Sequence, residues 1–159
     1  MTIGPKLAHQ AFALDNDVLN DWRAGKPATQ QAIKDYIAVT KAPPALTSTT
    51  VFEMMHGFEK SSFISKGTNL RTEVDKENAR ELARNALVLP FDERAAEIAA
   101  YVYPRLSQAE RNKHWTDLLI AATALAHDYG VITRNREDFE LIARFIPPSY
   151  SVLRLQIWK

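Results

Sequence analysis

The sequence has no cysteine, which excludes disulfides, thiolate catalysis and sulfur-ligated metals. That absence fits a reducing compartment. No apolar run approaches membrane-spanning length, and the opening "MTIGPKLAHQ" lacks the apolar core of a signal peptide. The expectation is a soluble, cytoplasmic protein. A net charge is nearly absent too: 20 Lys+Arg stand against 19 Asp+Glu, leaving +1. A protein that coats nucleic acid would be far more basic, so any such contact would need a local patch. "RLSQAERNKHW" (105–115) with Arg134, Arg136 and Arg144 could supply one, although scattered surface cations explain these residues equally well. There is no internal repeat and no low-complexity segment. What remains is 159 residues, 46% of them hydrophobic, enough for one domain with a substantial core.

Short apolar runs alternate with helical patterns along this chain. "AFAL" (11–14), "LVLPF" (87–91), "VIT" (131–133) and "SVLRLQIW" (151–158) read as strands, with "ALTSTT" (45–50) a short strand or turn. Between them lie helices: one capped by Asp17 with Val18, Leu19 and Trp22 inward, one in "ATQQAIKDYIAVTKA" (28–42) stopped by Pro43-Pro44, and one in "TTVFEMMHGFEKSSF" (49–63). The charged "GTNLRTEVDKENARELARNAL" (67–87) reads as a solvated arm. Asp92 caps a further helix, "SQAE" (107–110) is a capping box, "TDLLIAATALAHDYG" (116–130) is a buried helix closed by Gly130, and "REDFELIARF" (136–145) is the last. Alternation of this kind predicts an α/β fold with a mainly parallel sheet. Sites in such folds form beyond the carboxyl ends of the strands. Asp15, Glu53 and Asn135 fall at such ends.

Taken singly, the polar candidates have structural explanations. Glu53 ends Thr50-Val-Phe-Glu, a capping box; Asp117 sits in the first turn of an apolar helix, where an anion is favoured; Asn135 would cap the helix from Arg136, with Asp138 in its first turn. Asp15 is harder to explain in this way. A carboxylate closing a buried strand is costly to desolvate unless something binds it. Gathering several at one sheet edge without a cation costs about 1–4 kcal/mol per close pair. Oxygen donors without sulfur suit Mg2+ or Mn2+. The four histidines (His9, His56, His114, His127) show no metal-ligand spacing and read as surface or packing residues.

Four segments in order, "ALDNDVL", "TSTTVFEMMHG", "TDLLIAATALAHDYG" and "VITRNREDFELI", resemble the signature blocks of the PIN-domain nucleases, and most of all the VapC-type toxins of bacterial toxin–antitoxin pairs. The resemblance runs from Ala11 to about Leu155, leaving residues 1–10 as an N-terminal extension and 67–86 as a charged helical arm on a single domain. It implies a three-layer α/β sandwich and a magnesium-dependent endoribonuclease leaving a 5′-phosphate and a 3′-hydroxyl. By position, Asp15 and Asp117 would be metal ligands and Glu53 the second acid, orienting the attacking water or sharing a second ion. Asn135 matches a position that is Asp or Asn in relatives, with Asp138 as a possible fourth charge, and Thr133 and Arg134 could position the substrate phosphate. Asp17 stands where relatives usually carry Asn. The resemblance also implies a homodimer and an antitoxin partner, held in an apolar groove between the arm and the helix at 28–41, with Phe52, Met55 and Phe58 as contributors.

Two other readings compete. Asp15-Asn16-Asp17 after an apolar strand is similar to the Asp-x-Asp of haloacid-dehalogenase phosphatases, but Val18-Leu19 follows where Gly-Thr is wanted, and no strand-end lysine or distal acidic pair is evident. The non-enzymatic reading is a PIN-like module that only binds partners, since fold does not fix function.

Overall fold

The computed structural model describes residues 11–159; the expected extension at 1–10, with His9, lies outside them. The apolar run Phe12–Leu14 forms β1, which pairs in parallel with β4 (Gly130–Thr133), Phe12 opposite Gly130 and Leu14 opposite Ile132. β4 pairs in parallel with β5 (Leu155–Ile157) on its other side. β2 (Leu46–Thr47) and β3 (Val88–Leu89) form a second parallel pair. A bridge between Ala13 and Ala45 joins the two, with the Leu14 N–H donating to the Ala45 carbonyl at 2.9 Å. The edge-to-edge order is therefore β3-β2-β1-β4-β5, and every pairing among the described residues is parallel.

Parallel neighbours need long crossovers, and helices supply them: α1 (Asn16–Arg23), α2 (Pro27–Thr40), α3 (Ser48–Ile64), α4 (Leu70–Asn85), α5 (Glu93–Val102), α6 (Gln108–Ala126) and α7 (Arg136–Ala143). They cover both faces, which is why the strands read as continuous apolar runs rather than alternating ones. Phe12, Leu14 and Ile132 face one layer with Val18, Leu19, Ile33, Met54 and Ala79. Val131 faces the other with Ile98, Val102, Leu118, Phe139 and Ile142. The result is the three-layer α/β sandwich that the sequence leads one to expect.

Local chemistry sets the helix ends. Pro27 opens α2, and Lys41 ends it at φ 65°, just before Pro43-Pro44 forbid continuation. Asp92 caps α5 through the Ala95 N–H, and Ser107 with Glu110 form the expected capping box of α6. That box opens a helical segment that reaches a kink at His114, and a second segment continues from the kink to Ala126. His114 itself, at φ −119° and ψ 16°, is not helical. The charged arm becomes α4, capped by the Asn69 side chain at the Thr72 N–H, and it lies along α3 with Ala79 buried and Lys76 paired to Glu59. Its open groove of about 500 Å3 is against α1 rather than α2. Asn20, Arg23, Arg71, Asp75, Asn78 and Leu82 give it a largely polar lining, while a separate, mostly apolar hollow of about 210 Å3 lies between α2 and the end of the arm, lined by Tyr36, Thr40, Pro43, Asn85, Leu87 and Tyr129. Met55 and Phe58 pack toward the core, while Phe52 stays exposed.

Gly130 has a different task from the helix closure expected of it. The left-handed residue after α6 is Asp128, at φ 61°, and Gly130 begins β4. A Cβ there would stand 2.4 Å from the Phe12 ring and 2.7 Å from the Arg154 carbonyl oxygen. Backbone on one side and a packed ring on the other leave nowhere to move. Gly130→Ala should cost about 1–3 kcal/mol of stability as an overpacked site, read from urea melts. A cost below about 0.5 kcal/mol, typical of a free surface position, would refute that account of the glycine.

Candidate metal centre

Asp15 ends β1 and begins α1 at once. The helix starts at Asn16, so Asp15 is its N-cap rather than the expected Asp17, accepting the Asn16 N–H on Oδ1 at 2.7 Å. The neighbouring strand completes its shell: the Thr133 hydroxyl donates to Asp15 Oδ2 at 2.8 Å. Two adjacent parallel strands thus end together on one carboxylate that is only 6% exposed.

Thr133 is itself fully buried, and its hydroxyl oxygen also accepts the Asn135 N–H at 3.0 Å. It therefore orients Asp15, and the phosphate contact expected of it has no free hydroxyl to use. Arg134 is also engaged, 3.0 Å from Asp21 and 3.6 Å from Asp17. It partly neutralises the acids beside the site.

Glu53 arrives on α3. Among the caps offered by "TSTT", Thr47 takes the position, accepting the Thr50 N–H at 3.1 Å, while the Thr50 hydroxyl donates to the Leu14 carbonyl at 3.1 Å. That second bond pins the start of α3 to the end of β1. It also places Glu53 beyond the first turn, so the capping-box role expected from Thr50-Val-Phe-Glu does not exist. Glu53 Oε1 is instead buried without any hydrogen-bond partner.

Asp117 follows the His114 interruption by three residues, close to the first-turn position expected of it. His114 is buried, with Nδ1 3.2 Å from Asp117 Oδ2 and 3.8 Å from Asp138 Oδ1. The ligand atoms of these three residues all lie within 4.8 Å of one another. Reading His114 as a mere packing residue is thereby corrected. One histidine whose partners lie three residues away and on another helix leaves no spacing signal in a sequence. Asn135 sits at the N-cap of α7 but makes no side-chain cap bond; its Nδ2 donates to Asp17 Oδ2 at 3.4 Å.

The electrostatics tie these groups together. Burial, then repulsion from Asp17 and Asp117, pushes the Asp15 carboxyl up to about 8, against hydrogen bonds from Thr133 and Asn16. Burial also lifts Glu53 to about 6, with Asp117 and Asp17 adding to it and a Thr116 hydrogen bond opposing. Asp117 is raised by burial foremost, then by Asp138 and Asp17, while His114 pulls it down. Carboxylates gathered where each resists ionising, with one buried oxygen orphaned, fit a hard divalent cation. The donors facing the site are carboxylate oxygens, with no sulfur, and His114 Nδ1 is turned to two of those carboxylates, which favours Mg2+ or Mn2+ over zinc.

A model of the PIN domain matches residues 13–144. The chain belongs to the PIN-domain family. This membership removes the haloacid-dehalogenase reading of Asp15-Asn16-Asp17. No curated protein sequence matches the chain. Among solved structures, this PIN domain is similar to VapBC-1 from nontypeable Haemophilus influenzae, at 20% identity and TM-score 0.66, covering 93% of this chain and 98% of that one. VapBC2 from Rickettsia felis, solved bound to a DNA fragment from its promoter, gives 17% identity and TM-score 0.65 over 94% and 99%. DNA-bound VapBC from Salmonella typhimurium gives 23% and 0.64 over 94% and 98%. At such identities the likeness is one of fold. Among the described residues, no helix is long and apolar enough to cross a membrane.

Proposed function

We propose that this PIN domain is a magnesium-dependent endoribonuclease and the toxin of a toxin–antitoxin pair. The observation that supports the reading is that Asp15 and Glu53, both raised by burial, each feel the charges of Asp117 and Asp17, beside the His114, Asp117 and Asp138 group whose ligand atoms lie within 4.8 Å of one another. The similarity of fold to chains of toxin–antitoxin complexes supports the antitoxin as a partner, and a homodimer and a cytoplasmic setting go with it. Nothing here favours a binding-only module, for which a self-repelling acidic set would be a cost without a use.

Asp15, Asp117 and Glu53 would hold the cation, with Asp138 and Asn135 completing the rim. Bound there, a divalent ion lowers the pKa of water and polarises a phosphodiester oxygen. Thr133 keeps the Asp15 carboxylate aimed at the cleft, and His114 does the same for Asp117 and Asp138, as outer hydrogen bonds to ligands commonly do. Glu53, raised to about 6 and so mostly carboxylate at neutral pH, can accept the proton of an attacking water through its unpartnered Oε1. The resulting products would be a 5′-phosphate and a 3′-hydroxyl.

The test is a Mg2+ titration read two ways on the purified chain. The melting temperature should rise with Mg2+ by mass action on the folded state, and total RNA should be cleaved only when the ion is present. A melting temperature indifferent to Mg2+ and Mn2+, with intact RNA, would leave the binding-only module standing.

A further inference from the structure

Beside the carboxylates lies a cluster of aromatic rings that the metal chemistry does not use. Phe52 on α3 stacks on His56 one turn later, with ring centroids 5.6 Å apart and planes 12° from parallel. Trp115 on α6 meets Phe52 at 6.3 Å and 55°. Phe52 is 50% exposed and Trp115 43%, and none of the three rings belongs to a core cluster. Phe52 directly precedes Glu53, and Trp115 directly precedes Thr116, whose side chain hydrogen-bonds Glu53. The rings therefore border the cleft on the two elements that deliver Glu53 and Asp117.

The electrostatics of the cleft give this placement its meaning. An RNA phosphate approaching these acids is repelled, and Arg134 beside them is already paired to Asp17 and Asp21. Stacking on a ring face carries no such penalty, because a nucleobase is neutral and every base has a π-face. Bases inside a duplex are stacked on each other and cannot reach the rings, whereas a loop or single strand can splay a base outward. We infer that Phe52, Trp115 and His56 form a stacking platform for an unpaired nucleobase flanking the scissile phosphate. The inference rests on the nuclease reading for its scissile phosphate, while the platform itself is a binding site testable without cleavage.

Tryptophan emission provides that test. A short unstructured oligoribonucleotide, titrated in chelator, should quench the wild-type emission, and the same strand annealed to its complement should not. Trp115→Phe should lose most of the quench but keep the affinity, measured by fluorescence anisotropy of labelled RNA. Trp115→Ala and Phe52→Ala should each weaken binding about tenfold. With Mg2+ they should raise KM by a similar factor at nearly unchanged kcat, and their exposure predicts wild-type melting temperatures. Alanine variants that bind and cleave with wild-type affinity and KM would overturn the platform. So would variants that fall from dimer to monomer with RNA affinity intact, which would make the rings a subunit contact. Quenching by single strands without any Mg2+-dependent cleavage would sustain the platform and sink the nuclease reading instead.

Discussion

Asp117→Asn should abolish RNA cleavage while leaving the metal-free protein as stable as the wild type or more so. The change keeps the shape of the side chain and leaves an oxygen or an amide to meet His114, now 3.2 Å away. It removes one negative charge from a group whose ionisation is already opposed by burial, Asp138 and Asp17. Loss of outer hydrogen-bond partners alone costs about 10–100-fold in metal affinity or activity, and a direct anionic ligand should cost at least the upper end of that. If Asp117 merely decorated the start of a helix segment, the variant would lose about 0.3–1 kcal/mol of stability and no activity. The two accounts part in both assays: one keeps or raises stability and removes cleavage, and the other lowers stability and keeps cleavage. RNA cleavage with added Mg2+, set beside melting in chelator, separates them, and wild-type cleavage by the variant would remove Asp117 from the centre.

Asp15→Asn should stabilise the metal-free protein by an amount that grows with pH. Asparagine remains a good N-cap and can still meet the Thr133 hydroxyl, so the local structure is retained. The carboxyl is raised from 3.8 to about 8 in the fold, so the folded state favours its neutral form. The stability associated with neutral Asp15 is complete below the unfolded-state value and is lost as pH climbs from about 4 toward 8. The asparagine variant, neutral throughout, loses none of it. The gap between variant and wild type should be small at pH 4–5 and reach a few kcal/mol by pH 8, measured by urea melts in chelator. Mg2+ should close the gap from the wild-type side. A gap that stays constant across this range would mean that Asp15 ionises as an ordinary surface acid.

What could be read from the sequence, and what could not, follows from the range of each interaction. The run Ala11–Leu14 ending on Asp15 announced a buried strand and a carboxylate at its mouth, because burial of both sheet faces leaves a continuous apolar signature. The boundaries within "DND" and "TSTT" were not legible: each offers several good caps within a few residues, and the choice depends on tertiary bonds such as Thr50 to the Leu14 carbonyl. Locating the cap at Thr47 took away the structural explanation of Glu53, and that could be seen only in three dimensions. His114 was missed for the same reason, since Asp138 lies on a different helix. Gly130 was identified as a necessary glycine for the wrong reason, because the Phe12 ring that excludes a Cβ comes from the other end of the chain.

The bond from Thr133 to Asp15 spans 118 residues, and the strand pair beneath it spans just as many. Contacts this distant form late, because the entropy of closing so long a loop must be overcome before the pairing can contribute anything in return. The segment that places Asp15 leaves the ribosome well before the strand that aims its carboxylate, which follows 118 residues later. A growing chain halted anywhere before Thr133 has Asp15, Glu53 and even Asp117 without the partner strand that gathers them. On the nuclease reading proposed above, this topology would act as a delay: a nascent chain could not cut RNA until the strand that carries Thr133 had been made and paired.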